Sequence, residues 1–481
     1  MQENITTKTV FGVAWKTLET FLVGLIQTLI FLILARLLSP EDFGVIAILA
    51  ALIAISNIFI NSGLGTALIQ GKDINEIDYS SVLIFSFIAS LVIYFFLFLI
   101  APYIADFYNQ PIIKDVLRVY SISIIFFAIN GVQKSILIRE LRFKEIFIVS
   151  SFSVIISGCI SIIMAFKGFG IYALVFNSLI LASLNTISFS IFMKWLPSFR
   201  FSISRLSKML RYSYKLLLSN LIEVIYTNIF PIVIGKSFSI QSLGFYNNGR
   251  QIPSLLSSSI NASITSVTFS VYSRYQTDLD KLKSLTRDTV IVTNFIMLPL
   301  MAFLAAIAEP LVVLILTEKW LPSVPYLQLF CLIYGLHHQH NISFQAIAAT
   351  GRSDLFLRYQ FIKKIFGICF LALMIKFNLI YVVIGQIFTT FLSIIITATP
   401  NKNILNYSVN EQLTDFIPYL LISLIMFYGL IYVGKVDIPI LGLLTIQAFV
   451  AILIYIGLSA VLQLRGLSLF KNILNSFFKK K

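Results

Sequence analysis

Long apolar runs recur along the whole of this 481-residue chain. An α-helix of about 20 apolar residues is long enough to cross a hydrocarbon core of about 30 Å. Hydrophobic residues make up 58% of the sequence and charged residues only 12%, more apolar surface than a soluble chain of this length can bury. The sequence therefore predicts an all-α, polytopic membrane protein.

The apolar runs predict fourteen membrane spans. They lie at about 10–35, 43–62, 80–101, 117–137, 146–166, 171–193, 212–235, 243–270, 289–316, 324–349, 358–376, 380–399, 416–433 and 438–462. The connections between them are short, and none is long enough to form a separate soluble domain. The N-terminal segment has no small-residue cleavage site, so we expect the first span to remain.

Lys and Arg are distributed unequally between the two sides of these spans. With the N-terminus in the cytoplasm, 24 of the 36 basic residues fall in cytoplasmic connections and tails, and eight fall in outer connections. Because positively charged connections stay on the cytoplasmic side, both termini are predicted to be cytoplasmic. The chain ends in the basic tail FFKKK, residues 477–481, which suits the anionic surface of membrane lipids. Nothing in the sequence indicates nucleic-acid binding.

Two pairs of segments reveal an internal repeat. Residues 34–44 (LARLLSPEDFG) align with residues 234–244 (IGKSFSIQSLG) at an offset of 200, and residues 165–175 align with residues 374–384 at an offset of 209. Nearly equal offsets at distant points of the chain predict two homologous halves of six spans. Since six is even, both halves enter from the same side and are related by an axis along the membrane normal.

The repeat predicts the domain organisation. Residues 1–200 are expected to form a first six-helix lobe and residues 201–402 a second, while residues 403–481 supply two additional spans and the basic tail. Two pseudo-symmetric lobes around such an axis are expected to enclose a central cavity.

The eighth span is unusually polar for a membrane helix. Its polar residues recur at steps of three and four and so share one helical face. They are Asn247, Arg250, Gln251, Ser254, Ser258, Asn261 and Thr265. Because an arginine facing lipid costs several kcal/mol, this face is predicted to line a cavity. The alternative is a hydrogen-bonded seam between helices, with Arg250 reaching out to the membrane surface.

Charged residues also mark spans 7 and 1. Lys215 and Glu223 share a face of span 7, and Glu223 falls near the middle of the membrane. A carboxylate there suits a proton or cation site, and a neutral acid or an ion pair with Lys215 or Lys134 fits equally well. In span 1, Lys16 and Glu19 are three residues apart and can pair. The offset of 200 places span 1 over span 7, which predicts that both line one cavity.

Span 10 contains the stretch GLHHQHNISFQ, residues 335–345. His337 and His340 have a spacing that some metal sites use, but the sequence offers no third ligand, so a zinc site is not predicted. Histidines that face a wet cavity and accept or donate protons are the favoured interpretation.

Motifs of catalysis are missing from the sequence. No nucleotide-binding loop, nucleophile elbow or metal-hydrolase helix occurs, so neither a cofactor nor an enzymatic activity is predicted. Cys159, Cys331 and Cys369 fall within apolar stretches and indicate no disulfide framework.

An ordered set of five segments resembles a known family. They are ARLLSPEDFG (35–44), GLGTALIQ (63–70), FYNQP (107–111), KLLLSNLIEVIYTNIFPIVIGK (215–236) and GFYNNGRQIP (244–253). The chain is similar over spans 1 to 12 to the Wzx-like polysaccharide repeat-unit exporters of the MATE-like superfamily. The resemblance implies two six-helix lobes around a cavity that opens alternately to each side of a bacterial inner membrane.

The resemblance also implies a substrate and partners. The substrate would be undecaprenyl pyrophosphate carrying an oligosaccharide, and the partners would be polysaccharide polymerases and glycosyltransferases. One departure concerns Tyr246, Asn247 and Asn248, where relatives often read YNR. In this chain the positive charge stands at Arg250 instead.

The chemistry of such a substrate assigns roles to the polar residues. Basic groups hold phosphate through charge-assisted hydrogen bonds, and amide and hydroxyl groups hold sugars. The predicted substrate-binding residues are Lys16, Lys134, Lys215, Asn247, Arg250, Gln251, Ser254 and Asn261, and the predicted cation-coupling residues are Glu19, Glu223 and His337.

The leading hypothesis from the sequence is therefore a flippase for lipid-linked repeat units. One alternative is a cation-coupled drug antiporter of the same superfamily, which the excess of basic over acidic residues in the spans disfavours. The other is a membrane polymerase or ligase, for which the outer connections are too short to form a catalytic surface.

Overall fold

The computed structural model describes the backbone of residues 2–61, 63–71, 73–193, 198 and 200–478. Within these ranges it describes all side chains except those of residues 2–10, 13, 263, 265–267, 269–270, 273, 353–357, 473–474 and 476–478. The predicted basic tail and the side chain of Thr265 thus lie outside the described residues. Every regular element in the described ranges is a helix.

Contacts divide the chain into two compact units, residues 1–244 and 245–481. The boundary at residue 200 follows from the sequence repeat and stays a prediction. The helices that begin in the first unit are α1 (Gln2–Leu37), α2 (Pro40–Asn61), α3 (Leu64–Gln70), α4 (Glu76–Tyr108), α5 (Ile112–Tyr120), α6 (Ser123–Arg139), α7 (Phe143–Phe166), α8 (Ile171–Met193), α9 (Ile203–Ser237) and α10 (Ile240–Arg274). Most of α10 belongs to the second unit.

The remaining helices lie wholly in the second unit. They are α11 (Leu279–Ala306), α12 (Ala308–Leu316), a short 3₁₀ helix (Glu318–Ser323), α13 (Val324–Ala349), α14 (Ser353–Met374), α15 (Leu379–Leu405), α16 (Val409–Thr414), α17 (Ile417–Val433), α18 (Ile440–Val461) and α19 (Arg465–Phe478).

A helix lies at each of the fourteen predicted spans. Among the described residues, ten helical stretches are long and apolar enough to cross a membrane, as expected of a multi-pass membrane protein. The helices α6, α10, α13 and α14 are not among the ten. The helix α6 has only 17 residues, and the described residues of the other three include no stretch that is both long and apolar enough. The total of fourteen spans stays a prediction.

Two predicted spans are interrupted in the structure. The span at 117–137 is divided between α5 and α6. The helix α5 is amphipathic: it buries Val116 and carries Arg118 over the ring of Phe98, 4.2 Å from the ring centroid. The span at 289–316 is divided between α11 and α12. Pro310 has no N–H to donate to the carbonyl four residues earlier, so α11 ends at Ala306 and a new helix begins.

Small residues allow the helices of the first unit to approach closely. The buried side of α7 includes Ser153, Ser157, Gly158 and Ser161. A Cβ atom on Gly158 would lie 2.1 Å from the side chain of Ile30 in α1. In a membrane, where lipid removes the hydrophobic drive between helices, close packing of this kind holds them together.

The offset of 200 reappears as a reciprocal contact between α2 and the first turn of α10, inside the first unit. A Cβ atom on Gly44 would lie 2.0 Å from the carbonyl oxygen of Ile240, and one on Gly244 would lie 1.9 Å from the carbonyl oxygen of Pro40. Adding 200 to residue 44 gives residue 244, and subtracting 200 from residue 240 gives residue 40. Exchanging the two matching segments therefore turns one contact into the other, as a two-fold relation requires. We call this contact the glycine crossing.

The starts of α2 and α10 match as well. The backbone nitrogen of Asp42 donates to Oγ of Ser39 at 3.2 Å, and that of Ser242 donates to Oγ of Ser239 at 3.1 Å. These equivalent hydrogen bonds satisfy backbone donors at the helix starts. Together with the glycine crossing, they support the repeat that the sequence predicts.

A polar network fixes the C-terminal helices to α11. Arg287 of α11 donates through Nη2 to Oδ1 of Asp415 at 3.1 Å, and the Tyr407 hydroxyl donates to Oδ2 at 2.9 Å. Asn294, which is fully buried in α11, donates to the backbone carbonyl of Asp415 at 3.0 Å. Burial, together with the neighbouring Asp415 carboxylate, raises the pKa of the Tyr407 hydroxyl, so it remains a donor.

Replacing Asp415 with asparagine is expected to lower the free energy of unfolding by about 2 kcal/mol, because it breaks a largely buried ion pair and leaves Arg287 only its longer contact with Glu411 at 3.4 Å. The melting temperature of the purified protein in detergent measures this effect. Asp437→Asn is the matched control, since Asp437 is exposed in the connection between α17 and α18. Equal melting temperatures of the two variants would contradict the prediction.

Candidate functional site

In the second unit, the guanidinium of Arg250 lies against α13. Its Nε donates a hydrogen bond to the Tyr334 hydroxyl at 2.9 Å. The Arg250 side chain is half-buried, and no carboxylate in the described part of the chain forms an ion pair with it. Its two terminal amino groups make no hydrogen bond with the described residues, so they are available to an anion.

Close packing around α10 holds Arg250 in place. Gly249 allows α10 to touch α13, because a Cβ atom there would lie 2.8 Å from a backbone nitrogen of α13. One turn earlier, Tyr246 is buried and packs edge-on against Phe330 with ring centroids 5.2 Å apart. Nε2 of Gln386 donates to the Tyr246 hydroxyl at 3.1 Å. The guanidinium therefore stands on a rigid segment of helix.

Two histidines extend this arrangement along α13. Nδ1 of His340 donates to the carbonyl oxygen of His337 at 3.0 Å, since a carbonyl can only accept. Nε2 of His340 consequently carries the lone pair and accepts from the ammonium group of Lys363 in α14 at 3.2 Å. The His337 ring lies 6.4 Å from that of Tyr334 and 4.8 Å from that of His340, between centroids. We call Tyr334, His337, His340 and Lys363, together with Arg250, the cationic cluster.

The cationic cluster holds Arg250 with an uncharged group. The Tyr334 hydroxyl orients Arg250 without cancelling its positive charge, as a carboxylate would, and a neutral imidazole accepts a hydrogen bond from Lys363. An arginine with two amino groups available binds phosphate or carboxylate oxygens in a bidentate manner. The cluster is therefore suited to an anion with several oxygen atoms.

The cluster is poorly suited to a metal ion. Both ring nitrogens of His340 are engaged in hydrogen bonds, which leaves no lone pair for a metal. In the part of the chain that the structure describes, no group of three or more His, Cys, Asp or Glu residues could hold a metal ion.

Beyond Arg250, the predicted polar face of α10 is accessible rather than sealed. Gln251 is exposed, and Ser254 and Asn261 are half-buried. Asn261 donates to Oγ of Ser257 at 3.2 Å, within the same helix. The amide nitrogen of Asn247 is buried without a partner among the described residues. This exposure favours a face that lines a cavity, and the roles of these residues in binding stay predictions.

The first unit contains a separate charge cluster around Glu19. Lys16 pairs with Glu19, as their spacing predicts. Lys134 of α6 lies 3.6 Å from the other carboxylate oxygen, to which Ser150 also donates at 3.5 Å. Glu19 is buried, whereas the two lysines are about half exposed. One carboxylate thus offsets part of the charge of two lysines. From the sequence, Glu223 is a candidate partner of Lys134, whereas in the structure Lys134 pairs with Glu19.

Lys215 and Glu223 lie on an accessible stretch of α9 in the first unit. Both side chains are exposed. The first turns of α9 pack against α3 and α4, and near its end Lys236 donates to the carbonyl oxygen of Phe107 at 2.5 Å. Lys215 and Glu223 lie on the exposed stretch of the helix between these two sets of contacts. The proposed roles of Lys215 in binding and of Glu19, Glu223 and His337 in cation coupling stay predictions.

Comparison with known proteins shows the family of this chain. The family described as "Polysaccharide biosynthesis protein" matches residues 33–325, which is more than half of the sequence. The chain belongs to this family.

Relatives in two bacteria are similar to most of the chain. The lipopolysaccharide biosynthesis protein WzxC of Escherichia coli strain K12 is 22% identical over 361 residues, which cover 74% of this chain and 73% of WzxC. The teichuronic acid biosynthesis protein TuaB of Bacillus subtilis strain 168 is 23% identical over 354 residues, which cover 73% of each chain.

A solved structure establishes the fold. The lipid II flippase MurJ, in an inward closed conformation, matches with a TM-score of 0.76 and 16% identity, over 94% of this chain and 98% of MurJ. The polysaccharide biosynthesis protein described here therefore has the fold of MurJ.

Sequence reasoning misses Tyr334, Lys363 and Gln386 of the site. A tyrosine within an apolar span looks like core packing, and Lys363 followed by Lys364 looks like the end of a span at the membrane surface. One signal does point to them: Tyr334 precedes His337 by three residues, so the hydroxyl and the imidazole share a face of α13.

Proposed function

We propose that this protein is a flippase that moves undecaprenyl-pyrophosphate-linked oligosaccharide repeat units from the cytoplasmic to the outer face of the bacterial inner membrane. The observation that carries the proposal is Arg250. Its half-buried guanidinium is held by an uncharged hydroxyl and paired with no carboxylate in the described part of the chain. A group held in this way is ready to bind the diphosphate of such a substrate.

The other parts of the substrate have matching groups in the proposal. Lys363 adds a second positive charge. Lys16, Lys134 and Lys215, which belong to the first unit, attract the anionic substrate. The hydroxyl and amide groups on the accessible face of α10, Gln251, Ser254 and Asn261, bind sugars.

The proposed transport cycle is alternating access by two six-helix lobes, with fourteen spans and both termini in the cytoplasm. The names of WzxC and TuaB, which refer to lipopolysaccharide and teichuronic acid biosynthesis, support a polysaccharide precursor as cargo. The name of MurJ supports a lipid-linked one. The role is transport rather than catalysis, and polymerases and glycosyltransferases are proposed partners.

The charges disfavour a drug antiporter of the same fold. A site for cationic drugs needs carboxylates that are free to bind them. The buried carboxylate of Glu19 instead contacts Lys16 and Lys134, and the cationic cluster in the second unit is positively charged.

Deleting the gene in its own host tests the proposal. We expect the surface polysaccharide to be lost and undecaprenyl-pyrophosphate-linked repeat units to accumulate on the cytoplasmic face, because synthesis continues without export. Mass spectrometry of the lipid fraction and analysis of the surface polymer measure both. A plasmid copy of the wild-type gene is the control. An unchanged polymer without accumulated intermediates, in a strain with no redundant exporter, would contradict the proposal.

A further inference from the structure

A cavity of about 530 Å³ lies in the first unit, and its lining includes no residue of the two charge clusters described above. It opens where α3 ends and where α4 and α9 begin, on the side that the distribution of Lys and Arg predicts to be cytoplasmic. Its volume falls within the range of about 300–1,000 Å³ that is typical of small-molecule sites.

The end of α3 forms one wall of the cavity and is held by a side chain of α6. Arg139 of α6 donates through Nη1 to the carbonyl oxygens of Leu68 at 2.8 Å and Gly71 at 2.7 Å. These are carbonyls that a helix end leaves without partners. Gln70, between them in sequence, accepts a hydrogen bond from the Tyr212 hydroxyl of α9 at 2.5 Å.

The starts of α4 and α9 form the opposite wall. Asp78 completes a capping box with Asn75 at the start of α4, and its Oδ2 atom accepts from Nη1 of Arg205 in α9 at 3.0 Å. A Cβ atom on Gly63 would lie 2.6 Å from the side chain of Ser213, so α9 touches the segment just before α3. Both walls are therefore rigid, and the space between them is a built cavity.

The lining combines donors, acceptors and an apolar floor. The floor includes Met209 and Ile74, and the rim presents the exposed side chains of Asp73 and Lys208. The ring of Tyr212 lies at the edge. Carboxylates and lysines bind the hydroxyl groups of a sugar, and apolar or aromatic surfaces pack against its C–H faces.

We propose that this cavity binds the outer sugars of the lipid-linked unit on the cytoplasmic face, a proposal that rests on the function proposed above. The acidic side chains of Asp73 and Asp78 balance the basic side chains of Arg205 and Lys208, so the lining has no excess of positive charge to hold the phosphate of an anionic lipid headgroup. A neutral or amino-substituted oligosaccharide matches the mixed charges of the lining. The cavity thus selects the carbohydrate, whereas the cationic cluster binds the diphosphate.

The variants Asp73→Asn and Lys208→Gln test the proposal in vesicles that contain the full-length protein. The probes are undecaprenyl pyrophosphate with the complete repeat unit of the host and the same lipid with only its first sugar. Protection of the sugar from a membrane-impermeant enzyme measures translocation. We expect each variant to move the complete unit about tenfold more slowly, the effect of losing one hydrogen bond to a charged group. Movement of the single-sugar lipid should be unchanged.

Asp280→Asn and Lys281→Gln are matched controls, because both residues are exposed at the start of α11 in the other unit. Equal slowing of both lipids, or no slowing of either, would overturn the sugar-binding proposal. So would slowing that disappears when the vesicles lack anionic phospholipid, because the cavity would then bind a headgroup. If the wild-type protein moves neither lipid, the proposed function itself fails, which is a distinct result.

Discussion

Replacing Arg250 with alanine is expected to slow translocation of the lipid-linked repeat unit at least a hundredfold. The variant loses the two amino groups that face no other partner in the described structure. Each hydrogen bond between charged groups contributes about 1.5–3 kcal/mol, and every 1.4 kcal/mol corresponds to a factor of ten. Arg250→Lys keeps the charge but loses the planar, bidentate geometry, so we expect an intermediate rate. The vesicle assay with the complete repeat unit measures these rates.

Arg274→Ala is the control for Arg250→Ala, since Arg274 is exposed in the last turn of the same helix. It should transport at the wild-type rate. Lys363→Met should slow transport about tenfold, because it removes the second cation of the cluster and leaves Arg250 in place. A purified, folded Arg250→Ala protein that transports normally would refute the assignment of the cationic cluster to the diphosphate.

Adding a methyl group at the glycine crossing is expected to be the most damaging small change in the first unit. In Gly44→Ala or Gly244→Ala the new Cβ atom would overlap a backbone carbonyl oxygen at about 2 Å, and a backbone cannot turn aside as a side chain can. The helices α2 and α10 must then separate. We expect each variant to lose about 3 kcal/mol of unfolding free energy, the upper end for an overpacked contact.

The reciprocal geometry makes this prediction specific. Because the two contacts are equivalent, the two variants should lower the melting temperature by similar amounts. Gly457→Ala in α18 is the control, since nothing lies within 4 Å of the added atom. Melting temperatures of Gly44→Ala and Gly244→Ala equal to that of Gly457→Ala would show that the crossing is looser than the structure indicates.

Hydropathy predicts the helices well because each must present about 20 apolar residues to lipid, a local property of the sequence. The breaks at Ser121 and Ile307 escape it, because over the length of a whole span the apolar residues outweigh Arg118 near the first break and Glu309 near the second. The amphipathic helix α19 escapes as well. It is shorter than a span, and only its contacts with α11, such as that between Phe470 and Phe295, reveal its place.

The site is predictable where its contacts are local. The spacing of Lys16 and Glu19 predicts their pair, and the spacing of polar residues in α10 predicts its accessible face. Contacts between distant segments are not encoded in any spacing. The pair of Lys134 with Glu19 and that of Lys363 with His340 join different helices, so only the packing of those helices shows them.

The glycine crossing also limits which substitutions residues 34–44 and 234–244 can accept in evolution. A side chain gained at residue 44 meets residue 240, and one gained at residue 244 meets residue 40, so a single constraint acts on both segments. Neither segment can change there without a compensating change in the other. This mutual restraint accounts for the sequence match that residues 34–44 and 234–244 retain.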